Sequence, residues 1–166
     1  MTPDHVDRIV EQWTRARPDV DPGPIRIIGR ISRLSRSIDH QLKRVFDVHG
    51  LEAWEYDVLA SLRRGGAPFQ LSAGELLDAL MITSGAVTNR IDRLEQRGFV
   101  RRTAVPGDKR IVGIRLTPAG LAAIDAAVPD HLDNEARILQ RLTPAESRRL
   151  ERLLRKVQLG LADIPS

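Results

Sequence analysis

Apolar residues recur every three or four positions along most of this chain, which is the spacing that places them on one face of a helix. The pattern predicts a short first helix over residues 4–16 and a long second helix over about 22–48, with Asp21 as the N-cap of the second. A third stripe covers residues 53–64, and the last one covers 144–162. These segments alone make the chain mainly helical.

The middle of the chain carries two shorter helices. Ser72 and Glu75 have the spacing of a capping box, in which each side chain accepts a backbone N–H of the other residue, so a helix begins near residue 73 and ends near 80. Thr83 or Ser84 can cap the next helix, which ends at Gly98. The inner face of that helix is predicted to consist of Val87, Ile91 and Leu94.

After these helices the period changes to two, which indicates β-strands. Apolar and polar residues alternate over 100–104 and over 111–116, and the turn-forming sequence Pro106-Gly107-Asp108 lies between them. A short helix, a tight connection, a second helix and a basic hairpin, in that order, predict a winged helix-turn-helix over residues 55–116. A plain structural helix pair is the alternative.

Two more helix starts follow the hairpin. Thr117, followed by proline, begins one helix, and Thr143 with Glu146 forms a full capping box for another. Pro129 lies inside the first of these and is expected to kink or break it, because proline lacks the N–H that an internal turn uses. A length of 166 residues suits one domain with a sizeable core, which we assign to residues 1–166. The predicted fold class is therefore mainly α with a small β-hairpin wing.

The charge is unevenly distributed along the chain. The net charge is +4, but residues 97–115 carry six basic residues against the single acid Asp108. A basic patch of this kind favours an anionic partner. The absence of cysteine excludes disulfides, thiolate catalysis and thiol-based redox sensing.

The motifs of common enzymes are missing from the sequence. There is no glycine-rich phosphate loop, no dinucleotide fingerprint and no zinc-protease motif, and the four histidines lack metal-ligand spacing. We therefore expect no enzymatic activity, no metal and no cofactor. The N-terminus lacks a basic segment followed by an apolar run, and no apolar stretch reaches the length of a membrane span, so we expect a cytoplasmic protein.

The second helix of the winged unit has an outer face suited to DNA. With its apolar face inward, an ideal helix directs Gly85, Asn89 and Arg93 outward. Glycine allows close approach of the backbone, while asparagine suits adenine and arginine suits guanine in a major groove. Ser84 and Thr88 are better placed for phosphates. This face beside a basic hairpin predicts binding to double-stranded DNA, and a solvated polar face is the alternative.

The tip of the hairpin adds three charged candidates for DNA contact. Lys109 and Arg110 can reach phosphates or a minor groove, whose negative potential attracts arginine. We interpret the neighbouring Asp108 as an acid that orients an arginine through a charge-assisted hydrogen bond. An exposed turn aspartate without that role is the alternative.

The residues singled out above closely resemble the MarR family of bacterial transcription regulators. The resemblance extends over nearly the whole chain and is carried by the segment from Leu80 to Glu95, Gly98, Asp108-Lys109-Arg110 and Leu116-Thr117-Pro118-Ala119-Gly120. It implies a homodimer with intertwined terminal helices and one winged unit per subunit on a pseudo-palindromic operator. Residues 4–48 and 118–163 would form the dimerisation helices, and an intramolecular bundle is the alternative.

A narrower resemblance is to the urate-responsive branch of that family represented by PecS and HucR. It is carried by the extra N-terminal helix with Gln12-Trp13 and Arg17-Pro18, by His49-Gly50-Leu51 and by Tyr56-Asp57-Val58-Leu59. The resemblance implies that Trp13, Asp57 and Arg90 take part in ligand response, with His49 as a further candidate. The helical projection agrees for Arg90, because it lies at the flank of the buried face rather than on the outer face.

An arginine, an aromatic face and a nearby acid can together hold a flat, polar or anionic ring. The alternatives are structural: core packing for Trp13, an ion pair between Asp57 and Arg90, and a helix end for His49. Arg102 stays open between a phosphate contact and a link from this pocket to the hairpin. We expect a repressor that urate or a related small aromatic or anionic effector releases from DNA. A helical protein-interaction scaffold without specific DNA binding is the alternative.

Overall fold

The computed structural model of this chain describes residues 2–80, 83–105 and 108–162; for residues 105, 108–111 and 162 it describes the backbone alone. Within these ranges the elements follow in the order α1 (His5–Ala16), α2 (Ile25–Val48), α3 (Ala53–Arg64), β1 (Gln70–Ser72), α4 (Ala73–Leu80), α5 (Ser84–Gln96), β2 (Val100–Val105), β3 (Asp108–Leu116), α6 (Pro118–Leu139) and α7 (Pro144–Ala162). None of the helices among the described residues combines the length and the apolar character of a bilayer span.

The strands form an antiparallel sheet in the order β1-β3-β2. β2 and β3 are the predicted hairpin, in which Val100 pairs with Leu116 and Arg102 pairs with Ile114. β1 is an addition to the prediction, and its Leu71 pairs with Ile114 from the other side. Three residues are too short a segment for alternation to be recognised in the sequence. The predicted fold class, mainly helical with a small β wing, is confirmed.

The hydrophobic core lies around α3, whose Leu59 and Leu62 are fully buried. Leu76 of α4, Leu94 of α5 and Ile124 of α6 are fully buried in the same cluster. Burial of side chains of this size stabilises the fold by about 1.5–3 kcal/mol each. The helix pair α4 and α5 is therefore held against α3 by the core itself.

The capping signals are observed where the sequence predicts them. Ser72 N donates to Glu75 Oε2 at 2.7 Å, and Glu75 N donates to Ser72 Oγ at 3.2 Å. Thr143 N donates to Glu146 Oε2 at 2.8 Å, and Glu146 N donates to Thr143 Oγ1 at 3.3 Å. Thr83 caps α5 by accepting a backbone N–H of the first turn. These caps set the first residues of α4, α5 and α7.

Two local predictions differ from the structure. Asp21 does not cap α2, because its Oδ1 accepts a hydrogen bond from Gly23 N at 2.8 Å within the preceding turn, and the helix begins only at Ile25. Pro129 does not break α6, which is one continuous helix of 22 residues. α6 packs against both α2 and α3. This packing outweighs the loss of one internal hydrogen bond.

Gly120 marks the closest approach of α6 to the segment before β2. A Cβ atom at this position would lie 2.0 Å from the carbonyl oxygen of Phe99, so a side chain has no room unless the backbone moves. We predict that Gly120→Ala lowers the free energy of unfolding by about 1–3 kcal/mol. Urea denaturation followed by circular dichroism measures the change.

Gly74 provides a matched control for that substitution. A Cβ atom at Gly74 would meet only Ser72 Oγ at 3.9 Å, so an alanine fits in α4. Gly74→Ala is expected to leave the stability unchanged or to raise it by up to about 1 kcal/mol, since alanine favours the helix. Equal unfolding free energies for Gly120→Ala and the wild type would contradict the predicted clash.

Candidate DNA interface and ligand site

The outer face of α5 is open to solvent. Its inner face is buried, as predicted, through Val87, Ile91 and Leu94. The predicted DNA-contacting residues on the opposite face are exposed, namely Ser84, Gly85, Thr88 and Asn89. A Cβ atom at Gly85 would meet no described atom within 4 Å, so this chain leaves room for a partner to approach the backbone. The structure therefore brings these four residues together on one accessible surface.

The Thr88 hydroxyl is already engaged within the helix. Its Oγ1 donates to the carbonyl oxygen of Ser84 at 3.2 Å. A phosphate can only accept hydrogen bonds, so Thr88 must rotate its hydroxyl before it can contact one. The predicted phosphate role of Thr88 therefore depends on exchanging one hydrogen bond for another.

Arg93 is tied to the start of α3 rather than extended straight into solvent. Its Nη2 donates to Glu52 Oε1 at 3.1 Å, and its guanidinium lies 4.6 Å from the centre of the Trp54 ring. The side chain nevertheless remains 50% exposed. Its role in reading bases stays a prediction, with Glu52 and Trp54 as neighbours that the sequence did not indicate.

A second tie between α5 and α3 involves a buried carboxylate. Glu55 is 1% exposed, and its Oε2 accepts hydrogen bonds from Glu52 N at 2.9 Å and from Arg97 Nη1. Arg97 Nη2 also donates to the carbonyl oxygen of Gly50 at 2.9 Å. This pair could not be predicted from the sequence, because 42 positions separate the two residues. The one available signal was the capping-box spacing of Glu52 and Glu55.

Arg102 joins the wing to α5. Its guanidinium donates to Asp92 Oδ1 at 2.5 Å and to the Glu95 carboxylate, and its backbone N donates to Glu95 Oε1 at 2.9 Å. The bond to Asp92 is the main reason that the pKa of Arg102 is raised above its usual value. This geometry links the wing to α5, while the two roles left open for Arg102, a phosphate contact and a link from the ligand pocket to the hairpin, stay predictions.

The wing strands themselves present a cluster of positive charge. Arg101 on β2 and Arg115 on β3 are direct cross-strand partners. Like charges in this arrangement repel each other unless an anion lies between or above them. The predicted contacts at the tip, Asp108, Lys109 and Arg110, have side chains outside the described part of the structure, so their roles stay predictions.

Asp57 on α3 and Arg90 on α5 lie close enough for their charges to interact. Asp57 keeps part of its surface exposed, and partial desolvation of its carboxyl by the surrounding protein raises its pKa, while the charges of Arg90, Arg64 and His131 act against that rise. No direct ion pair within 4.0 Å joins Asp57 to Arg90. Arg90 instead lies 5.8 Å from the centre of the Trp54 ring. The two predicted ligand residues thus lie near each other without forming a direct ion pair.

The other two predicted ligand residues lie elsewhere in the chain. Trp13 is 47% exposed on α1, which packs against α2. His49 Nε2 lies 2.8 Å from Asp130 Oδ2 on α6, and its side chain is mostly buried. Among the described residues, no hydrogen bond, ion pair or ring contact joins Trp13 to Asp57, Arg90 or His49.

An aromatic stack that the sequence did not indicate includes Tyr56, which precedes Asp57 on α3. The Phe46 and Tyr56 ring centres are 4.5 Å apart, and His131 lies 4.6 Å from Tyr56. Burial, followed by the charges of Glu135 and Asp57, raises the pKa of the Tyr56 hydroxyl. Within the described ranges, no group of three His, Asp or Glu side chains is placed to share a metal ion. Because Phe46 lies on α2, Tyr56 on α3 and His131 on α6, the three stacked rings join these helices.

Known proteins are similar to this chain both in sequence and in fold. The MarR family profile matches residues 49–111, which contain α3, α4 and α5. The transcriptional regulator PecS of Dickeya dadantii is 44% identical over 158 residues, which are 95% of this chain and 95% of that protein. This chain belongs to the MarR family.

The solved structures that resemble this chain include a complex with DNA and a protein whose DNA binding is regulated by a small molecule. A mutant MarR of Escherichia coli complexed with operator DNA is 28% identical, with a TM-score of 0.71 over 87% of this chain and 96% of that one. Bordetella bronchiseptica BpsR, whose DNA binding is regulated by 6-hydroxynicotinic acid, is 26% identical, with a TM-score of 0.70 over 80% and 92%. The MarR-family chain described here is a DNA-binding transcription regulator and not an enzyme, as the sequence predicted, and the scaffold alternative is not supported.

The raised pKa of Asp57 leads to a prediction about stability and pH. The folded chain disfavours the charged carboxylate, so Asp57 stabilises the fold below its unfolded pKa of about 3.9, and that contribution is lost as the pH rises through the folded value. We therefore expect Asp57→Asn to be more stable than the wild type at neutral pH, with the difference closing below about pH 4. Urea unfolding across this pH range measures both effects.

Asp78→Asn, which removes one negative charge from the exposed face of α4, controls for the change in net charge. If Asp57→Asn were less stable than the wild type at neutral pH, the attraction of Arg90 and Arg64 would outweigh burial, contrary to the prediction. The same measurement therefore decides which of the two influences on Asp57 is larger.

Proposed function

We propose that this MarR-family protein is a homodimeric repressor that a small flat anion of the urate type releases from operator DNA. The observation that carries the proposal is the position of Arg90, which lies on the same helix as the exposed DNA-facing residues but beside Trp54 and Asp57. A ligand held there would act directly on α5. As a regulator acting on bacterial DNA, the protein would work in the cytoplasm.

Arg90, Trp54 and Asp57 together offer complementary chemistry to a flat anionic ring. Arg90 supplies a planar cation with a fork of N–H donors, and Trp54 supplies an aromatic face. Asp57, whose pKa is raised, can accept a hydrogen bond from a ring N–H or share its proton. Within a single chain, Trp54 on α3 would therefore supply the aromatic face beside Arg90, in place of Trp13 on α1. We retain Trp13 and His49 as ligand-response residues that act through the packing of α1 and α6 on α2.

Release from DNA follows from differential binding. A ligand shifts the protein toward the arrangement that it binds better. An anion between Asp57 and Arg90 would draw the Arg90 side of α5 toward α3 and turn the face with Gly85 and Asn89 away from its DNA-binding orientation. The effector and the operator then each lower the affinity of the protein for the other.

Exposed apolar side chains support the homodimer. On α7, Leu150, Leu153, Leu154 and Val157 are 39–52% exposed in the single chain. Ile27, Ile28 and Leu34 on α2 are 57–62% exposed. Patches of this kind on a regulator that binds pseudo-palindromic sites suit a symmetric interface with a second copy. The proposed occupant of both faces is therefore a second copy of this chain.

The effector proposal is tested by parallel measurements of ligand and DNA binding. Urate is expected to quench the fluorescence of Trp13 and Trp54 and to weaken DNA binding over the same concentration range. Arg90→Ala should weaken the urate response about tenfold or more while retaining most of the DNA affinity. Arg93→Ala should show the reverse, since a base contact is worth about 1–3 kcal/mol. Tryptophan fluorescence and gel shifts at one salt concentration provide the two readouts.

Allantoin, which lacks the flat fused ring of urate, is the control ligand. Tight urate binding without loss of DNA affinity would refute release by urate. Equal losses of DNA binding in Arg90→Ala and Arg93→Ala would refute the separate roles of the two arginines.

The homodimer is tested on α7. Leu153→Glu together with Val157→Glu places two charges on the apolar stripe, so we expect a monomer in sedimentation velocity and a loss of operator affinity of at least about tenfold. Arg152→Glu introduces the same side chain on the opposite face of α7 and should leave the dimer intact. A wild-type monomer at micromolar concentration would contradict the proposed assembly.

A further inference from the structure

Glu52, Trp54 and Arg93 form a closed triangle at the start of α3. Arg93 Nη2 donates to Glu52 Oε1 at 3.1 Å, and Trp54 Nε1 donates to Glu52 Oε2 at 2.6 Å. The third side is the guanidinium of Arg93, 4.6 Å from the centre of the Trp54 ring. Each oxygen of the Glu52 carboxylate thus accepts a hydrogen bond from one of the other two side chains. The Trp54 ring lies against the guanidinium of Arg93.

Two residues of the triangle, Glu52 and Trp54, are attached to the packed core around α3. Trp54 is partly buried and packs against the hydrophobic core. The backbone N of Glu52 donates to the buried Glu55 carboxylate at 2.9 Å, which fixes the first turn of α3. An arginine side chain in water samples many rotamers, whereas one held on two sides has lost that freedom before it meets a ligand. Arg93 is therefore pre-organised in the DNA-free protein.

The triangle of Glu52, Trp54 and Arg93 leaves Arg93 able to contact a base. Glu52 takes one N–H of the guanidinium, which carries five, and half of the Arg93 side chain is exposed. Two parallel N–H groups are what recognition of guanine O6 and N7 requires. The Trp54 ring beside the guanidinium limits the orientations that those groups can take.

We propose that Glu52 and Trp54 are positioning residues that fix the Arg93 guanidinium for sequence-specific DNA recognition. The inference rests on the proposed base contact of Arg93. It assigns a role in specificity to an acidic residue, although an acid near DNA reduces the general attraction to phosphates. Glu52 therefore lowers non-specific affinity while it raises specific affinity.

The opposing effects on the two affinities separate positioning from simple competition. If Glu52 merely competed with DNA for Arg93, its neutralisation would strengthen specific and non-specific binding together. If it positions Arg93, neutralisation weakens binding to the preferred sequence and leaves non-specific binding unchanged or stronger. Glu52→Gln suits this test because an NH2 group replaces one of the two carboxylate oxygens, and each oxygen accepts from a different donor, so either Trp54 or Arg93 loses the atom to which it donates.

The test uses the duplex that the wild-type protein enriches from a randomised pool, with calf-thymus DNA as the non-specific probe. We expect Glu52→Gln to lower affinity for the enriched duplex about tenfold, with unchanged or higher affinity for calf-thymus DNA. Trp54→Phe should cause a smaller loss, because phenylalanine keeps the ring and removes the N–H. Asp19→Asn, which neutralises the acid of another exposed arginine–carboxylate pair, is the matched control and should change neither affinity.

A double-mutant cycle ties the effect to Arg93. In an Arg93→Ala background, Glu52→Gln should cause no further loss of specific affinity. An equal loss with and without Arg93, or a rise in specific affinity, would overturn the inference. Thermal unfolding of each variant shows whether α3 itself is disturbed, and a loss that followed stability rather than the presence of Arg93 would also overturn it. If the wild-type protein enriched no duplex, the proposed function itself would be refuted. The other outcomes test only whether Glu52 and Trp54 position Arg93.

Discussion

Helix α5 lies against α3 through two kinds of contact, and both candidate sites depend on that packing. The apolar face of α5, centred on Leu94, is buried in the core. Beside it, the buried carboxylate of Glu55 accepts a hydrogen bond from Arg97, which also bonds to the backbone at Gly50. Without Arg97 the buried Glu55 carboxylate would keep only the backbone N–H of Glu52 as a donor, a loss that costs at least about 1–3 kcal/mol. The orientation of α5 is therefore set from its C-terminal end, and its N-terminal end carries the exposed DNA-facing residues.

Arg90 and Arg93 are one helical turn apart, and the guanidinium groups of both lie near Trp54. Arg90 also acts on Asp57, while Arg93 is bonded to Glu52. A side chain of α3 thus contacts the proposed sensing residue and the proposed reading residue at once. In this arrangement a signal does not have to cross the molecule, because effector and DNA would act on adjacent turns of one helix. Such direct coupling needs only a small movement of α5.

The distribution of ion pairs changes the meaning of the basic region. In the sequence, Arg97 and Arg102 contribute to a positive patch that favours DNA. In the structure, Arg97 is paired with Glu55, and Arg102 is paired with Asp92 and Glu95. These two arginines therefore connect α5 to α3 and to the wing. The cross-strand pair Arg101 and Arg115 retains the clearer electrostatic argument for an anionic partner.

Local features of this protein were determined by the sequence itself. The helical stripes, the caps at Ser72 and Thr143 and the inner face of α5 were predicted because they depend on periodicity and on hydrogen bonds between residues three or four positions apart. The family resemblance then identified a DNA-binding regulator, which the relatives confirm.

The tertiary structure decided which charged residues meet. Arg93 reaches Glu52 across 41 positions, Arg97 reaches Glu55 across 42, and His49 reaches Asp130 across 81. The short strand β1 likewise exists only because β3 provides the backbone partner that its three residues pair with. Such contacts depend on how the core places α3, α5 and α6, and a pattern along one segment carries no information about the side chain that another segment brings beside it.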